Sequence, residues 1–258
     1  MAERRGTAER VAGVDLAAEA AGTALAVLRR GPGSLVLESL QLGVDDETIV
    51  RATRDVSLIG IDCAFGWPVD FVDFVARQAL GERLTEVDAG DLAWRRRLAH
   101  RETDRVVTER TGARPLSVAT DRLGMTALRC AVLLDRLAGD GRVVDRSGEH
   151  PSAVVEVYPA MALRVWGLTR PGYKQSTDAR AALIDSLSSA APWLELGQHE
   201  PLMWASADAL DAVLAALVAL AHARGASIRP TPEQRGLARV EGWISIPTVG
   251  LAQLGAIP

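Results

Sequence analysis

One apolar run in the first quarter of the chain most constrains the fold. Residues 56–61 read V-S-L-I-G-I, carry no charge and end at Asp62, just before the turn-forming G-W-P at residues 66–68. A run of this kind is typical of a strand buried on both faces of a sheet. A carboxylate there is costly unless its charge is compensated, and ligand sites in open α/β sheets lie at the carboxyl ends of strands. Asp62 is therefore either a site residue or, alternatively, a residue that caps the turn.

The remaining local signals predict an α/β fold with a mixed five-stranded sheet flanked by helices. The turn Gly31-Pro32-Gly33 joins two apolar segments into a hairpin, so the first three strands are expected to be antiparallel. Pro68 suits the first turn of a helix that follows the fourth strand. In chain order, the predicted strands are 11–17, 24–30, 34–41, 56–62 and 153–158, with a short final strand at 243–246. The predicted helices are 45–53, one that follows Pro68, 117–139, 159–166, 177–188 and 206–224.

Composition excludes several classes of protein. With 258 residues, of which 48% are hydrophobic and 24% charged, the chain can bury a full core in one domain. A net charge of -4 provides no overall attraction to nucleic acid. No apolar run approaches the roughly 20 residues that a membrane span needs. We therefore expect no membrane association. Because Cys63 and Cys130 are too few for a disulfide framework, we also expect a reduced, cytoplasmic setting.

The segment 81–115 differs from the rest of the chain in its density of charge. Its arginines lie among Trp94, His100, Glu102 and Asp104. Two interpretations stay open: a solvated helix face with ion pairs inside the chain, or a contact with phosphate or nucleic acid. The arginines of this basic cluster are Arg95, Arg96, Arg97, Arg101, Arg105 and Arg110.

The residues that point to chemistry are carboxylates in unusual places. The sequence has no phosphate-binding P-loop, no dinucleotide motif after a strand, no H-E-x-x-H and no G-x-S-x-G, so these enzyme classes lose most of their support. Instead, Asp15 interrupts the first strand, Asp62 ends the fourth, Glu156 interrupts the fifth, and Asp208 and Asp211 begin the last long helix.

Carboxylates that converge in this way need cations. Two like charges about 4 Å apart repel by about 4 kcal/mol at an effective dielectric constant of 20. Oxygen ligands without Cys or His favour Mg²⁺ or Mn²⁺. Two such ions can activate a water and stabilise the leaving oxygen of a phosphodiester. The pattern therefore predicts a nuclease-type site.

Short motifs over nearly the whole chain carry a family resemblance. They are G-V-D-L-A at 13–17, I-D-C-A-F-G-W-P at 61–68, R-E-T-D-R at 101–105, E-V-Y-P-A at 156–160, K-Q at 174–175, S-A-D-A-L-D-A at 206–212 and E-G-W-I at 241–244. Together they resemble domain-of-unknown-function family 429, a group of predicted ribonuclease H-like nucleases. The carboxylate pattern is also similar to that of Holliday-junction resolvases of the RuvC type.

This resemblance implies one ribonuclease H-like domain over residues 1–258, with a helical, charge-rich insertion at about 81–140. It implies a phosphodiester hydrolase that depends on Mg²⁺ or Mn²⁺. Asp15, Asp62, Asp208 and Asp211 would be its metal ligands and catalytic residues, with Glu156 beside them.

The resemblance also suggests substrate contacts. Arg101, Thr103, Asp104 and Lys174 become candidates for phosphate contact, and the alternative is an ion-paired lid over the edge of the sheet. Trp67, Trp94 and Trp243 are candidates for base stacking, and the alternative is packing in the core or a turn.

Two other functions stay open. One is a nucleotide or phosphometabolite enzyme of the actin and sugar-kinase branch of the fold. That branch usually has a Gly-rich turn after the first-strand Asp, and residues 16–19, L-A-A-E, do not form one. The other is a non-catalytic binding module. The partner is expected to be nucleic acid or a small phosphodiester, and the oligomeric state is open, a homodimer included.

Overall fold

The computed structural model describes residues 10–83, 88, 90–150 and 154–255, which form a mixed sheet with helices on both faces. Parts of two predicted segments lie outside the described residues: 84–87 and 89 of the charge-rich segment, and Ala153 at the start of the fifth strand. In the part that is described, no helix is long and apolar enough to cross a membrane.

The sheet has seven strands in the order β6-β3-β2-β1-β4-β5-β7. β1 pairs antiparallel with β2, and β2 antiparallel with β3, as predicted. β4 is parallel to β1, and β5 is parallel to β4. The strands are β1 Arg10–Asp15, β2 Ala24–Arg30, β3 Leu35–Leu42, β4 Leu58–Asp62, β5 Val154–Val157, β6 Leu194–Glu195 and β7 Ile244–Ser245.

The predicted count of five strands in the sheet was wrong because two short strands extend it at its edges. β7 lies within the short final strand predicted at 243–246, whereas β6 was not predicted. β6 pairs parallel with β3 through two residues, and β7 pairs parallel with β5. Two residues cannot display the alternation that marks a strand in sequence. β6 forms because Leu194 is brought beside Leu35 by the rest of the fold.

The helices cover both faces of this sheet. The predicted helix 117–139 begins later, at Gly124, because the Ser117 side chain accepts hydrogen bonds from the backbone N–H groups of Ala119 and Thr120 and forms a turn instead. The helices are α1 Asp46–Ala52, α2 Val69–Ala79, α3 Leu92–Ala99, α4 Glu102–Thr111, α5 Gly124–Gly139, α6 Pro159–Val165, α7 Thr177–Ala190, α8 Glu200–Ala205, α9 Ala207–Ala223, α10 Arg235–Glu241 and α11 Leu251–Leu254.

Alternating side chains of the central strands divide the core into two layers. On β1, Val11 faces the layer that contains α7 and α9, whereas Ala12 and Val14 face the layer that contains α1 and α5. This is the period of two expected when both faces of a strand are buried. The carboxyl ends of β1, β4 and β5 therefore lie between two layers of helices.

Two glycines allow α9 to lie directly on the sheet. Gly13 of β1 pairs with Gly60 of β4. A Cβ atom on Gly13 would lie 2.1 Å from the Ala216 nitrogen and 2.2 Å from the Ala212 oxygen. This close approach buries α9 along nearly its whole length and fixes where its first turns meet the end of β1.

Replacing Gly13 by alanine should therefore destabilise the protein strongly. The added methyl group meets helix backbone, which cannot rotate away, so the cost should reach or exceed the upper end of the roughly 1–3 kcal/mol usual for overpacking. Urea unfolding measures the change in free energy. Gly139→Ala in α5 is the matched control, because no atom lies within 4 Å of the new Cβ; it should stabilise the protein by up to about 1 kcal/mol. Equal effects at both positions would contradict the close-packing argument.

Candidate active site

Asp15 and Asp62 end two neighbouring parallel strands side by side. In the register of β1 and β4, Asp15 pairs directly with Asp62. Neighbouring strands lie about 4.8 Å apart, and paired residues point to the same face. The structure thus brings together the two carboxylates that the strand order predicted to converge.

Asp211 joins this pair from α9. It lies in the second turn of the helix and is only 1% exposed. Both of its carboxylate oxygens are engaged: the Tyr173 hydroxyl donates to Oδ1 at 2.9 Å, and the Lys174 ammonium lies 2.7 Å from Oδ2. Asp208, one turn earlier and half-buried, adds negative charge that acts on both Asp15 and Asp211.

The carboxyl groups of this cluster are difficult to ionise. Burial, and then the charges of Asp62 and Asp211, raise the pKa of Asp15 to about 9. Burial and the charge of Asp211 raise the pKa of Asp62 to about 8. Among the described residues, none donates a hydrogen bond to either carboxylate. Asp15 and Asp62 therefore lack the local donors that normally stabilise a buried carboxylate.

Lys174 is the cation of the cluster. Although burial opposes its charge, the carboxylates of Asp211, Asp62 and Asp15 together raise the pKa of Lys174 above its usual value. Its side chain is half exposed and lies over the Tyr173 ring, 5.9 Å from the centroid. A single ammonium group could not balance all four carboxyl groups if they ionised, so full ionisation of Asp15 and Asp62 requires further positive charge.

Glu156 lies one strand further on, in a separate ion-pair network. On β5 it pairs with Ile61, the residue before Asp62. Its carboxylate accepts two hydrogen bonds from Arg101, at 2.7 and 2.8 Å, and one from the Phe65 backbone N–H at 3.0 Å. Burial nevertheless raises its pKa, which Arg101 only partly offsets. Both oxygens of Glu156 already have donors, so its position is fixed. Because it pairs with Ile61, the residue before Asp62, Glu156 points to the opposite face of the sheet from Asp15 and Asp62.

Arg101 and Asp104 complete this buried network. Arg101 is 3% exposed and donates to Asp104 through Nε and Nη2, and to the Glu241 carbonyl through Nη1. Burial opposes the charge of the guanidinium, but Glu156 and Asp104 outweigh it and raise the pKa of Arg101. The Thr103 hydroxyl accepts a hydrogen bond from the Ile244 backbone N–H. Arg101, Thr103 and Asp104 were predicted to contact a substrate phosphate. Their geometry favours the alternative interpretation, an ion-paired lid over the edge of the sheet.

Two residues of this region were not assigned a role from the sequence. Glu241 accepts hydrogen bonds from the backbone N–H groups of Val69 and Glu102, so one carboxylate joins the starts of α2 and α4. Tyr173 donates to Asp211. Their motifs were visible as E-G-W-I and as the Tyr beside K-Q, but neither motif indicates a partner 38 or more residues away.

The remaining predicted site residue, Trp67, is half-buried. It packs beside the buried side chains of Ala64, Val118 and Ala127. The indole ring therefore packs in the turn and against the core. This is the alternative interpretation of Trp67 that the sequence left open.

The oxygen donors of the cluster suit a hard divalent cation. Asp15 and Asp62 offer carboxylate oxygens without competing donors, and Asp211 is bound to an ammonium group that a cation would have to displace. As the side chains of the described residues stand, no three Asp, Glu, His or Cys groups are arranged to hold a metal ion. The donor chemistry fits the predicted ion, and binding would require Lys174 to leave Asp211.

Comparison with known proteins yields one match. The model of the family described as "Protein of unknown function (DUF429)" matches residues 13–235. This range begins in β1 before Asp15 and extends beyond α9, so it includes all the carboxylates of the cluster. No curated protein and no solved structure matches the chain.

Proposed function

Because the chain belongs to the DUF429 family, whose function is unknown, we propose its function from its own residues: a metal-dependent nuclease that hydrolyses phosphodiester bonds. Asp15, Asp62, Asp208 and Asp211 would hold Mg²⁺ or Mn²⁺. One observation carries the proposal. Asp15 and Asp62 lie side by side without hydrogen-bond donors, and their pKa values are raised to about 9 and about 8 by burial and by the charges of neighbouring carboxylates, those of Asp62 and Asp211 on Asp15 and that of Asp211 on Asp62.

The sheet supports a ribonuclease H-like fold for this nuclease. Its five central strands have the order β3-β2-β1-β4-β5, with the first three antiparallel and the next two parallel to β1. α9 then crosses β1 and presents its first two turns to the same edge.

The residues around the cluster would divide the work of the reaction. Divalent ions supply an activated water and stabilise the leaving oxygen of a phosphodiester. Asp15 and Asp62 would hold the ions, since the position of each is fixed by the register of its strand. The Lys174 side chain is half exposed, so its ammonium group would be able to leave Asp211 and bind a phosphate oxygen of the substrate. Glu156 and Arg101 hold β5 against the start of α4 and keep this edge of the sheet rigid.

The turn after β1 weighs against the nucleotide-binding alternative. The Ala17 backbone N–H donates to the Thr23 hydroxyl, and this hydroxyl donates to the Glu19 carbonyl. Arg129 also donates to Thr23 and to the Ala17 carbonyl. The Ala17 N–H, a backbone donor of the kind that would bind phosphate in that branch, is therefore used inside the chain.

Calorimetric titration with Mn²⁺ tests the metal site directly. We expect a saturable heat with the wild-type protein, because Asp15 and Asp62 lose mutual repulsion when a cation binds between them. Asp15→Asn should abolish this heat. Asp135→Asn, an exposed carboxylate in α5 away from the cluster, is the matched control and should leave it unchanged. If a wild-type protein that unfolds cooperatively gives no heat, the proposed metal site is contradicted.

A further inference from the structure

A second pocket lies on the outer side of α4, in the basic segment. Its volume is about 450 Å³, and it lies between α3, α4 and the loop that follows α4. Arg96, Arg97, His100, Arg105 and Arg114 provide its basic lining; we call it the α3–α4 pocket. Its four arginines face two carboxylates, Asp104 and Glu109.

Internal ion pairs leave this pocket with uncompensated positive charge. Asp104 is already bound by Arg101, and Arg105 is paired with Glu102 at 2.6 Å. Arg97 lies 3.6 Å from Asp70, a long and exposed contact. The side chains of Arg96 and Arg114 have no ion pair or hydrogen bond with any of the residues that the structure describes. A pocket with more cations than anions, two of them unpaired, suits an anionic ligand.

The pocket is held together by fixed backbone contacts. The Ser117 hydroxyl donates to the Ala99 carbonyl at 2.5 Å, which ties the loop of Arg114 to the end of α3. Arg105 donates to the His100 carbonyl at 2.8 Å and ties α4 to the same point. His100 Nδ1 is buried without a hydrogen-bond partner among the described residues.

A neighbouring pocket suggests that the ligand is a strand and not a lone phosphate. Arg97 also lines a pocket of about 200 Å³ whose wall includes Trp94 and Phe74, together with Arg77 and the carboxylates of Asp70 and Asp73. These two rings pack edge to face, with centroids 5.7 Å apart. Arginines beside an aromatic ring are the usual elements of single-stranded nucleic-acid binding, in which bases stack while phosphates follow the positive charge.

The α3–α4 pocket is also connected to the candidate active site. Asp104 lines the pocket and is bound to Arg101, which is bound to Glu156 on the strand next to Asp62. A chain of buried ion pairs thus leads from the pocket to the strand beside the one that ends at Asp62. We propose that the α3–α4 pocket binds backbone phosphates of a single strand of nucleic acid whose phosphodiester lies at Asp15 and Asp62; this rests on the proposed nuclease function.

Binding of a labelled single-stranded oligonucleotide, followed by fluorescence anisotropy in EDTA, tests the pocket without metal or cleavage. The double variant Arg96→Gln/Arg114→Gln should bind more weakly. The slope of log K against log salt concentration should become shallower by about 1.4, because each lost phosphate contact on a single strand removes about 0.7. Both residues are exposed, so thermal unfolding should be unchanged.

The double variant Arg51→Gln/Arg54→Gln is the matched control. It removes the same charge from the exposed end of α1 and does not touch the pocket. Equal losses in both double variants would mean that only net charge matters and would overturn the inference. A second result would also overturn the inference. In it, inorganic phosphate raises the melting temperature of the wild type but not of Arg96→Gln/Arg114→Gln, while both proteins bind the oligonucleotide equally tightly.

The assay separates this inference from the proposed function. A selective loss of binding in Arg96→Gln/Arg114→Gln supports the pocket even if no cleavage is found in Mn²⁺, and only the nuclease proposal then fails. If the wild type cleaves the oligonucleotide but the variant binds it with an unchanged salt slope, the nuclease proposal is supported and the pocket inference fails.

Discussion

Asp15→Asn and Asp62→Asn should each lower Mn²⁺-dependent cleavage by more than about 100-fold and leave the melting temperature of the metal-free protein unchanged or raised. Loss of residues that merely support metal ligands typically costs about 10- to 100-fold. Replacement of a metal ligand itself should lower the activity by a larger factor. An effect on activity without a loss of stability is what distinguishes a site residue from a structural one.

The sign of the stability effect follows from the two pKa values. Both carboxyl groups have a folded-state pKa raised above the ordinary 3.8, to about 9 for Asp15 and about 8 for Asp62. Their contribution to stability is therefore fully present below about pH 4 and is lost as the pH rises through the folded-state values. Asparagine does not ionise, so each variant escapes this loss. The gain in melting temperature over the wild type should be larger at pH 9 than at pH 6.

The measurement combines cleavage kinetics in Mn²⁺ with thermal unfolding in EDTA at both pH values. Asp185→Asn in α7 is the matched control, because this carboxylate is exposed and distant from the cluster in the fold. It should change neither quantity. Undiminished cleavage by Asp15→Asn or Asp62→Asn would assign the activity to another site or to a contaminant. A lower melting temperature at pH 9 would show that the carboxylates stabilise the fold.

The central part of the fold could be predicted because its signals are local and continuous. β2 was predicted with the bounds it has, Ala24–Arg30, and β1 and β4 end within two residues of their predictions. Each of these strands is an apolar run that ends at a turn. Because such a strand is buried on both faces, its sequence contains few charged residues. The family predicted from the motifs is also confirmed, since its model matches residues 13–235.

The short elements were not predictable in the same way. β6 has two residues and α8 has six, too few for a periodic pattern. α10 begins after P-T-P-E-Q, a sequence that is typical of a loop. These elements depend on contacts with distant parts of the chain, which override weak local preferences.

Within the candidate site, the sequence indicated which carboxylates stand at the ends of strands, but not what pairs with them. The pairing of Asp15 with Asp62 follows from parallel neighbouring strands. The pairing of Arg101 with Glu156 joins residues 55 positions apart, and Lys174 reaches Asp211 from a loop. A charged motif on a helix predicts exposure as readily as burial. Only the fold decides between them.

Arg101→Met should destabilise the protein by about 3–5 kcal/mol, the usual cost of removing one partner from a buried ion pair. Glu156 and Asp104 would then be buried carboxylates without their cation. For a chain of this size, that cost corresponds to a fall in melting temperature of roughly 6–20 °C. The loss should be smaller at low pH, because protonation removes the unpaired charge of Glu156.

Arg105→Met is the matched control on the same helix. Arg105 also pairs with a carboxylate three residues away, and its contact with Glu102 is shorter, 2.6 Å against 2.9 Å for Arg101 with Asp104. However, Arg105 and Glu102 are 42% and 22% exposed, whereas Arg101 and Asp104 are 4% and 1% exposed. Exposed pairs contribute about 0–1 kcal/mol, so Arg105→Met should shift urea unfolding only slightly. If the two variants are equally stable, burial is not what makes the Arg101 network important, and the rigid edge proposed for the site loses its support.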